Sequence, residues 1–196
     1  MTDLIVGLSG YSRAGKNEAA QALTGRGWRQ VAFADKLREF LYALDPLIPG
    51  AYGAGHLRLR KLVDSTGWDY AKTSYPEVRA LLQRAGTEAG RRVLGANVWV
   101  NALFDSHQDA PALVVTDVRF PNEARAVQDR GGLLIRVERP GVGPLRNKYG
   151  AVHESEVAID DWDFDHVLTN DGTVGDLHEK LAGVASLVEH KLHIPM

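Results

Sequence analysis

The chain has 196 residues, of which 44% are hydrophobic and 24% are charged, and its formal net charge is −2. This composition excludes a disordered chain and a membrane-spanning one, and the small net charge gives no sign of a surface for polymeric nucleic acid. The lack of cysteine excludes disulfides, thiol catalysis and thiolate metal sites, and it fits a reducing compartment such as the cytoplasm. The length suits a single α/β domain with a sizeable core.

The first element is an apolar run, Leu4–Leu8, which predicts a buried strand. It leads into Gly10, four residues, Gly15 and Lys16, the spacing of a phosphate-binding loop, with a helix expected to begin near Lys16. Such a loop turns backbone N–H groups towards phosphate oxygens, and the helix adds the positive end of its dipole. We expect nucleoside triphosphate phosphates to be bound by Gly10, Ser12, Arg13, Ala14, Gly15, Lys16 and Asn17.

Asn17 departs from the usual loop, which has Ser or Thr after the lysine to contact Mg²⁺. An amide oxygen at this position reaches the metal only weakly or through water. The sequence therefore predicts that carboxylates elsewhere hold most of the ion, with Asp35 and Asp117 as the candidates beside Asn17.

The rest of the chain alternates predicted strands and helices. The strands are Gln30–Phe33, Ala112–Thr116, Leu133–Val137 and His166–Thr169. The helices start at Ala34, His56, Pro76, Val98, Pro121 and Val174, and the last of them closes the chain near His190. This alternation predicts a parallel sheet with helices on both faces, and ligands then bind at the carboxyl ends of the strands.

Two carboxylates follow predicted strands at that edge of the sheet. Asp117 comes directly after a buried strand, where it can hold Mg²⁺ or its water, and Arg119 can reach a phosphate bidentately. The alternative is that Asp117 caps a helix and Arg119 lies on the surface. Asp35 has the same two interpretations, as a cap of its own helix or as a contributor to metal and substrate binding.

Residues 139–155 are rich in proline, glycine and charge, and we interpret them as a mobile lid. Arg136, Arg139 and Arg146 flank or occupy this segment. Arginines that arrive on a lid stabilise the charge of a transferring phosphoryl group, and closure excludes water. A solvated charged loop is the alternative interpretation.

The predicted helical stretch 45–106 carries a mixture of side chains that suits a nucleotide. An aromatic face can stack on a base, an amide or hydroxyl can bond its edge, and arginine can bind its phosphate. The residues in question are Gln83, Arg84, Thr87, Arg92 and Trp99. Trp99 could equally be a core residue.

Four blocks together resemble the deoxynucleoside monophosphate kinases encoded by bacteriophages, which are relatives of the adenylate kinase group. They are Ser12–Lys16; Leu82–Thr87 with Trp99-Val100; Thr116–Arg119 through Glu123; and Val137–Gly141 followed by Leu168–Gly172.

The resemblance implies a three-layer P-loop kinase fold of the α/β class, with a five-stranded parallel sheet. It implies one domain whose core is 1–44 and 107–196, with an acceptor-binding insertion at about 45–106 and a lid at about 139–155. The sequence leaves the oligomeric state open between a monomer and a homodimer. We expect the protein in the cytoplasm, which is the host cytoplasm if it is phage-encoded.

For the chemistry, the resemblance implies ATP as donor, Mg²⁺, and a deoxynucleoside 5′-monophosphate as acceptor. Lys16, Asp117, Arg119 and Arg139 are then the catalytic residues, and the turn Asn170–Gly172 lies near the adenine. The acceptor is expected to contact Asp35, Arg38, Gln83, Arg84, Thr87, Arg92, Trp99 and Arg119.

Two other functions share the loop. One is a P-loop kinase of a different small acceptor, similar to phosphomevalonate kinase. The other is a nucleotide-binding switch or structural ATPase, which the sequence disfavours because it has no guanine-reading Asn-Lys-x-Asp element and carries an arginine-rich lid.

Overall fold

The structure is a computed structural model that describes residues 4–50, 55–146 and 149–191. The strands are β1 (Leu4–Ser9), β2 (Arg29–Val31), β3 (Leu47–Pro49), β4 (His56–Arg58), β5 (Ala112–Val115), β6 (Leu133–Glu138) and β7 (His166–Thr169). The α-helices are α1 (Lys16–Thr24), α2 (Phe33–Leu44), α3 (Leu59–Ser74), α4 (Pro76–Gln83), α5 (Val98–Asp105), α6 (Pro121–Gln128), α7 (Glu154–Val157) and α8 (Val174–Lys191). A π-helix, Arg84–Leu94, separates α4 from α5. Contacts divide the chain into a first unit, 1–32 with 104–196, and a second unit, 33–103.

The first unit is built on a five-stranded parallel sheet in the order β2-β5-β1-β6-β7. Alternation along β1 sends Val6 and Leu8 into a core with residues of α1 and α8, such as Leu23 and Leu181. The opposite face carries α6, whose Val127 lies close to where a Cβ on Gly7 would be. Helices therefore cover both faces of the sheet, as the predicted three-layer P-loop kinase fold requires.

The second unit contains α2, α3, α4, the π-helix and an antiparallel hairpin of β3 and β4. Its core includes Leu37 and Leu41 of α2, together with Leu59, Leu62 and Val78. The predicted insertion began later, at about residue 45. Its boundaries and its role in acceptor binding remain predictions.

Two local predictions need correction. Phe33 was expected to end a strand, but it begins α2, because Phe33, Leu37 and Leu41 recur at helical spacing and bury one stripe. The helix expected from His56 begins at Leu59, because residues 56–58 pair with 47–49 as a strand. It then continues to Ser74 through a kink at Gly67, where φ is 78° and ψ is 162°.

The predicted buried strands that are observed as β1 and β5 are confirmed, as are the closing helix and the parallel sheet. Boundaries shift by one or two residues, as is usual at the ends of elements. Within the described residues, no helix has both the length and the apolar character needed to cross a membrane.

Candidate active site

The predicted phosphate-binding loop joins β1 to α1 and has an unusual backbone. Gly10 and Gly15 have φ of 129° and 105°, a region that favours glycine. A Cβ on Gly10 would collide with the carbonyl oxygen of Val137, so glycine is required there on two grounds. Arg13 also has a positive φ, of 70°, which is uncommon for a residue with a side chain.

Lys16 lies inside this loop and not on its surface. Its ammonium donates hydrogen bonds to the carbonyl oxygens of Gly10 and Tyr11, at 2.6 and 2.9 Å. Only 9% of the residue is exposed. The loop therefore surrounds a buried positive charge, and a charge of this sign favours an anion beside it.

The amino end of α1 opens into the same loop. Its N-cap is Gly15, which has no side chain to accept the first-turn N–H groups. The first-turn N–H groups and the helix dipole are thus directed at the loop, which favours an anion there. Asn17 is exposed in this first turn, and Ser12 is half-buried.

Asp117 and Arg119 follow β5 at the same edge of the sheet as the loop. The intervening Val118 donates its N–H to the carbonyl of Leu8 at 3.1 Å, two residues before Gly10. Asp117 is half-buried. Sheet register therefore brings this carboxylate level with the beginning of the loop, as the sequence predicted.

Arg119 is fixed by two glutamates that were not among the predicted site residues. Glu123, only 2% exposed, accepts the N–H groups of Arg119 and Phe120 at 2.7 and 3.0 Å. Glu156 of α7 accepts a bond from the Arg119 guanidinium at 2.9 Å, and its other oxygen accepts the N–H of Leu145 at 3.3 Å. The spacing of Glu123 from the amino end of α6 was a usable signal, whereas nothing in the sequence linked Glu156 to Arg119.

The three arginines that flank or occupy the predicted lid differ in environment. Arg136, which precedes the lid, is a buried residue of β6 and pairs with Glu138 at 3.0 Å and Asp160 at 3.1 Å. Residues 133–137 of this strand are all buried, so its place within β6 accounts for the burial of Arg136. Arg139 is exposed directly after β6, and Arg146 donates to the carbonyl of Gly150 at 2.9 Å.

Residues 139–146 and 149–153 form no regular element, apart from one isolated bridge between Arg146 and Val152. Residues 147 and 148 of the predicted lid lie outside the described residues. Whether this segment moves on ligand binding remains a prediction.

The turn Asn170–Gly172 packs on the loop. Asn170 donates its side-chain N–H to the carbonyl of Ala14 at 2.9 Å and its backbone N–H to the backbone carbonyl of Glu138 at 2.6 Å. Lys180 braces the turn through Thr169 and Asp171, at 2.7 and 3.0 Å. Hydrogen bonding with Lys180 lowers the pKa of Asp171. Gly172 is exposed beside Asp176.

A cavity of about 270 Å³ lies between the loop and the residues that follow β6. Its lining includes Ala14, Arg139, Pro140, Val142 and Thr169. The volume is slightly below the usual range for small-molecule pockets. The cavity thus joins the phosphate-binding loop to the first predicted lid arginine.

The remaining predicted residues belong to the second unit. Asp35 is in the first turn of α2, and its carboxylate pairs with Arg38 at 2.7 Å. Arg84 and Arg92 are exposed on the π-helix, Gln83 is half-buried, and Thr87 is buried. A π-helix often marks a functional segment.

Trp99 is 8% exposed, and its indole N–H donates to the carbonyl of Gly86 at 2.8 Å. Gly90 packs against the same indole, where a Cβ would lie 2.7 Å from the ring. These contacts agree with the core interpretation that the sequence left open. Phe40, which is exposed and 6.3 Å from the Trp99 ring centroid, is the nearby aromatic that sequence reasoning missed.

Comparisons with known proteins give a family match and two viral relatives. A sequence profile described as deoxynucleotide monophosphate kinase matches residues 58–181. A putative deoxynucleotide monophosphate kinase of Acanthamoeba polyphaga mimivirus is 28% identical, over 91% of this chain and 94% of the relative. A deoxynucleoside-5′-monophosphate kinase of Escherichia phage T5 is 29% identical, over 69% of this chain and 54% of the relative.

Solved structures similar to this chain include two kinases. Shikimate kinase from Aquifex aeolicus aligns with a TM-score of 0.49 at 8% identity, over 95% of this chain and 98% of the other. Dephospho-CoA kinase from Campylobacter jejuni aligns with a TM-score of 0.49 at 14% identity, over 94% and 96%. The profile match covers more than half of the sequence, and the chain therefore belongs to the deoxynucleotide monophosphate kinase family.

Proposed function

We propose that this protein transfers the γ-phosphate of ATP directly to the phosphate of a deoxynucleoside 5′-monophosphate. The observation that carries the proposal is the loop itself, which encloses the Lys16 ammonium at the amino end of α1. No covalent intermediate is needed, because positioning and charge stabilisation supply most of the catalysis in phosphoryl transfer. The acceptor oxygen is already anionic, so no strong general base is required.

For the donor, the proposed arrangement puts the triphosphate in the loop and the adenine near the turn Asn170–Gly172. The bond from Asn170 to Ala14 supports it, because it holds this turn against the loop. The neighbouring cavity, lined by Arg139, Pro140 and Thr169, offers both a cation and apolar surface beside the phosphates.

The oxygen ligands that this chain offers fit Mg²⁺. Among the described residues, no three His, Cys, Asp or Glu side chains cluster as a metal cage. Mg²⁺ in phosphoryl-transfer enzymes usually takes one or two carboxylates, with waters and substrate phosphates completing its shell. Asp117 is the carboxylate at the loop's edge of the sheet, and the exposed amide of Asn17 can contribute through water. When bound, the ion neutralises charge on the β- and γ-phosphates.

Arg119 and Arg139 are the proposed partners of the transferring phosphoryl group. Arg119 donates one of its five guanidinium N–H groups to Glu156, so it can bind a phosphate oxygen at the same time. Arg139 is exposed beside the cavity and is available to approach a bound phosphate. Lys16 completes the set with a charge that the loop already orients.

The acceptor's groups are proposed to come from the second unit. Arg84 and Arg92 are exposed there, and Arg38 keeps part of its side chain accessible beside Asp35. Guanidinium groups suit a nucleotide phosphate because they bind it bidentately. Thr87 and Trp99 are buried within the unit, so their proposed effect is to shape this surface more than to cover a ligand.

A coupled assay of ADP release tests the proposal with a panel of deoxy- and ribonucleoside monophosphates. We expect strong stimulation by deoxynucleotides and loss of turnover by orders of magnitude in Lys16→Ala. Lys72→Ala, on α3, is the matched control and should retain activity. Stimulation only by a phosphorylated non-nucleotide would indicate a different small-molecule kinase, and stimulation only by a macromolecule would indicate a switch.

A further inference from the structure

A cluster of four polar side chains lies beside the phosphate-binding loop. The phenol of Tyr11, the second residue of the loop, donates to Asp160 at 2.8 Å. The other oxygen of Asp160 pairs with Arg136 at 3.1 Å, and Arg136 also pairs with Glu138 at 3.0 Å. The Arg136 guanidinium stacks 5.2 Å from the centre of the Tyr11 ring. Tyr11 is therefore held both at its hydroxyl and over its ring.

The backbone of the same tyrosine shapes the loop. The carbonyl oxygen of Tyr11 accepts the N–H of Ala14 at 3.1 Å, which closes a turn, and it accepts the Lys16 ammonium at 2.9 Å. Displacement of Tyr11 would therefore move one of the two carbonyls that hold Lys16. The side-chain cluster and the position of the lysine charge are joined through a single residue.

This loop needs support from outside itself. Arg13 has a positive φ of 70°, which is costly for a residue with a Cβ. Strained backbone of this kind persists only where its surroundings hold it. The cluster supplies such a hold from β6 and from the segment that follows α7.

We propose that Tyr11 and Asp160 are positioning residues that keep the phosphate-binding loop in its ATP-binding conformation before the nucleotide arrives. The inference rests on the proposed function, because it takes ATP as the ligand of this loop. Arg136 orients the Asp160 carboxylate, and it is held in turn by Glu138 and by stacking near Phe164 at 5.5 Å. Neither Tyr11 nor Asp160 needs to touch a reacting atom.

The Tyr11 phenol and the Arg136 guanidinium both need their protons to bind Asp160, and their surroundings favour the protonated forms. Burial raises the pKa of the Tyr11 phenol, and the hydrogen bond to Asp160 raises it further. Burial alone would lower the pKa of Arg136, but its bond with Asp160 raises it above the ordinary value. At neutral pH the hydroxyl therefore remains a donor and the guanidinium remains charged.

The expected effect is on affinity. If the loop is competent only part of the time, the apparent dissociation constant rises in inverse proportion to the competent fraction. Loss of the Tyr11 hydroxyl should raise Kd and KM for ATP about tenfold, equivalent to a competent fraction of about one tenth. Saturating ATP restores the conformation, so kcat should stay within about twofold of wild type.

The chain offers a matched control. Tyr42 donates its hydroxyl to Asp64 at 2.7 Å, and Arg60 stacks 5.0 Å from its ring, in the second unit and on the exposed surface. Tyr42→Phe removes the same kind of hydrogen bond from a similar trio that belongs to the second unit. We expect Kd, KM and kcat for ATP to match wild type in this variant.

The experiment measures direct ATP binding, steady-state kinetics and thermal melting in Tyr11→Phe, Asp160→Asn, the double variant and Tyr42→Phe. We expect Kd for ATP to rise in both single variants. Kd in the double variant should be no higher than in the single variant with the higher Kd, because both changes break the same Tyr11–Asp160 hydrogen bond. Asp160→Asn retains the shape of the side chain and serves independently if Tyr11→Phe is poorly stable.

If wild type binds ATP and Tyr11→Phe binds it with an unchanged Kd, this inference is overturned, while the proposed function stands. A lower kcat with unchanged KM would also overturn it, because a merely structural residue lowers the active fraction and not the affinity. If the losses of ATP affinity in the two single variants add up in the double variant, Tyr11 and Asp160 act independently and the inference is overturned. Failure of the wild type to bind ATP would overturn the proposed function itself.

Discussion

Glu123 gives a prediction whose size can be worked out from the structure. Its carboxylate accepts the N–H groups of Arg119 and Phe120, and the residue is 2% exposed. Hydrogen bonds to a charged group contribute about 1.5–3 kcal/mol each. Both donors are partly buried, so water replaces the lost acceptor only in part. Taking the lower value for each bond, Glu123→Ala should lower the free energy of unfolding by about 3 kcal/mol.

The loss is measurable by urea and thermal unfolding. For a chain of this length, 1 kcal/mol corresponds to about 2–4 °C, so Tm should fall by about 6–12 °C. Glu123→Gln keeps an oxygen acceptor of the same reach and should lose only about 1–2 kcal/mol. Glu179→Ala, an exposed position on α8, is the control and should change stability by less than about 0.5 kcal/mol.

The same variant should also impair catalysis, because Glu123 fixes the backbone that carries Arg119. Turnover per folded molecule should fall in Glu123→Ala and recover largely in Glu123→Gln. A loss below about 1 kcal/mol in Glu123→Ala, or equal losses in the alanine and glutamine variants, would refute the claim that this acceptor holds the turn.

Three further predictions follow from the site. Asp117→Asn should cut activity strongly with little change in Tm, and high Mg²⁺ should recover part of it; collapse of stability with normal activity per folded molecule would make Asp117 structural. Arg139→Ala should reduce kcat more than acceptor affinity, measured by steady-state kinetics, and an effect on acceptor KM alone would contradict its proposed role. Hydrogen bonding with Lys180 holds the pKa of Asp171 below its ordinary 3.8, so this pair stabilises the fold above that pH and the gain is lost as the pH falls through the lowered value. Lys180→Met should therefore lower Tm at neutral pH, with a deficit that shrinks as the pH falls below 3.8; a deficit independent of pH would show that the bond to Thr169 dominates.

The sequence determined the parts of this protein that depend on local patterns. Apolar runs marked the buried strands, and the spacing of Gly10, Gly15 and Lys16 marked the loop, because its backbone geometry admits few residue types. Alternation of strands and helices was enough to predict a parallel sheet, and with it the edge at which Asp117, Arg139 and Asn170 gather.

Only the tertiary structure decided which partner each polar side chain has. Arg136 was grouped with Arg139 as a residue at the predicted lid, but it is buried within β6 and pairs with Asp160, 24 residues away along the chain. Tyr11 and Asp160 are 149 residues apart, and Arg119 and Glu156 are 37 apart, so no local pattern joins them. Side-chain pairing across a fold depends on register and packing, which short-range periodicity does not encode. For this reason the sequence predicted the phosphate-binding loop but not the residues that hold it.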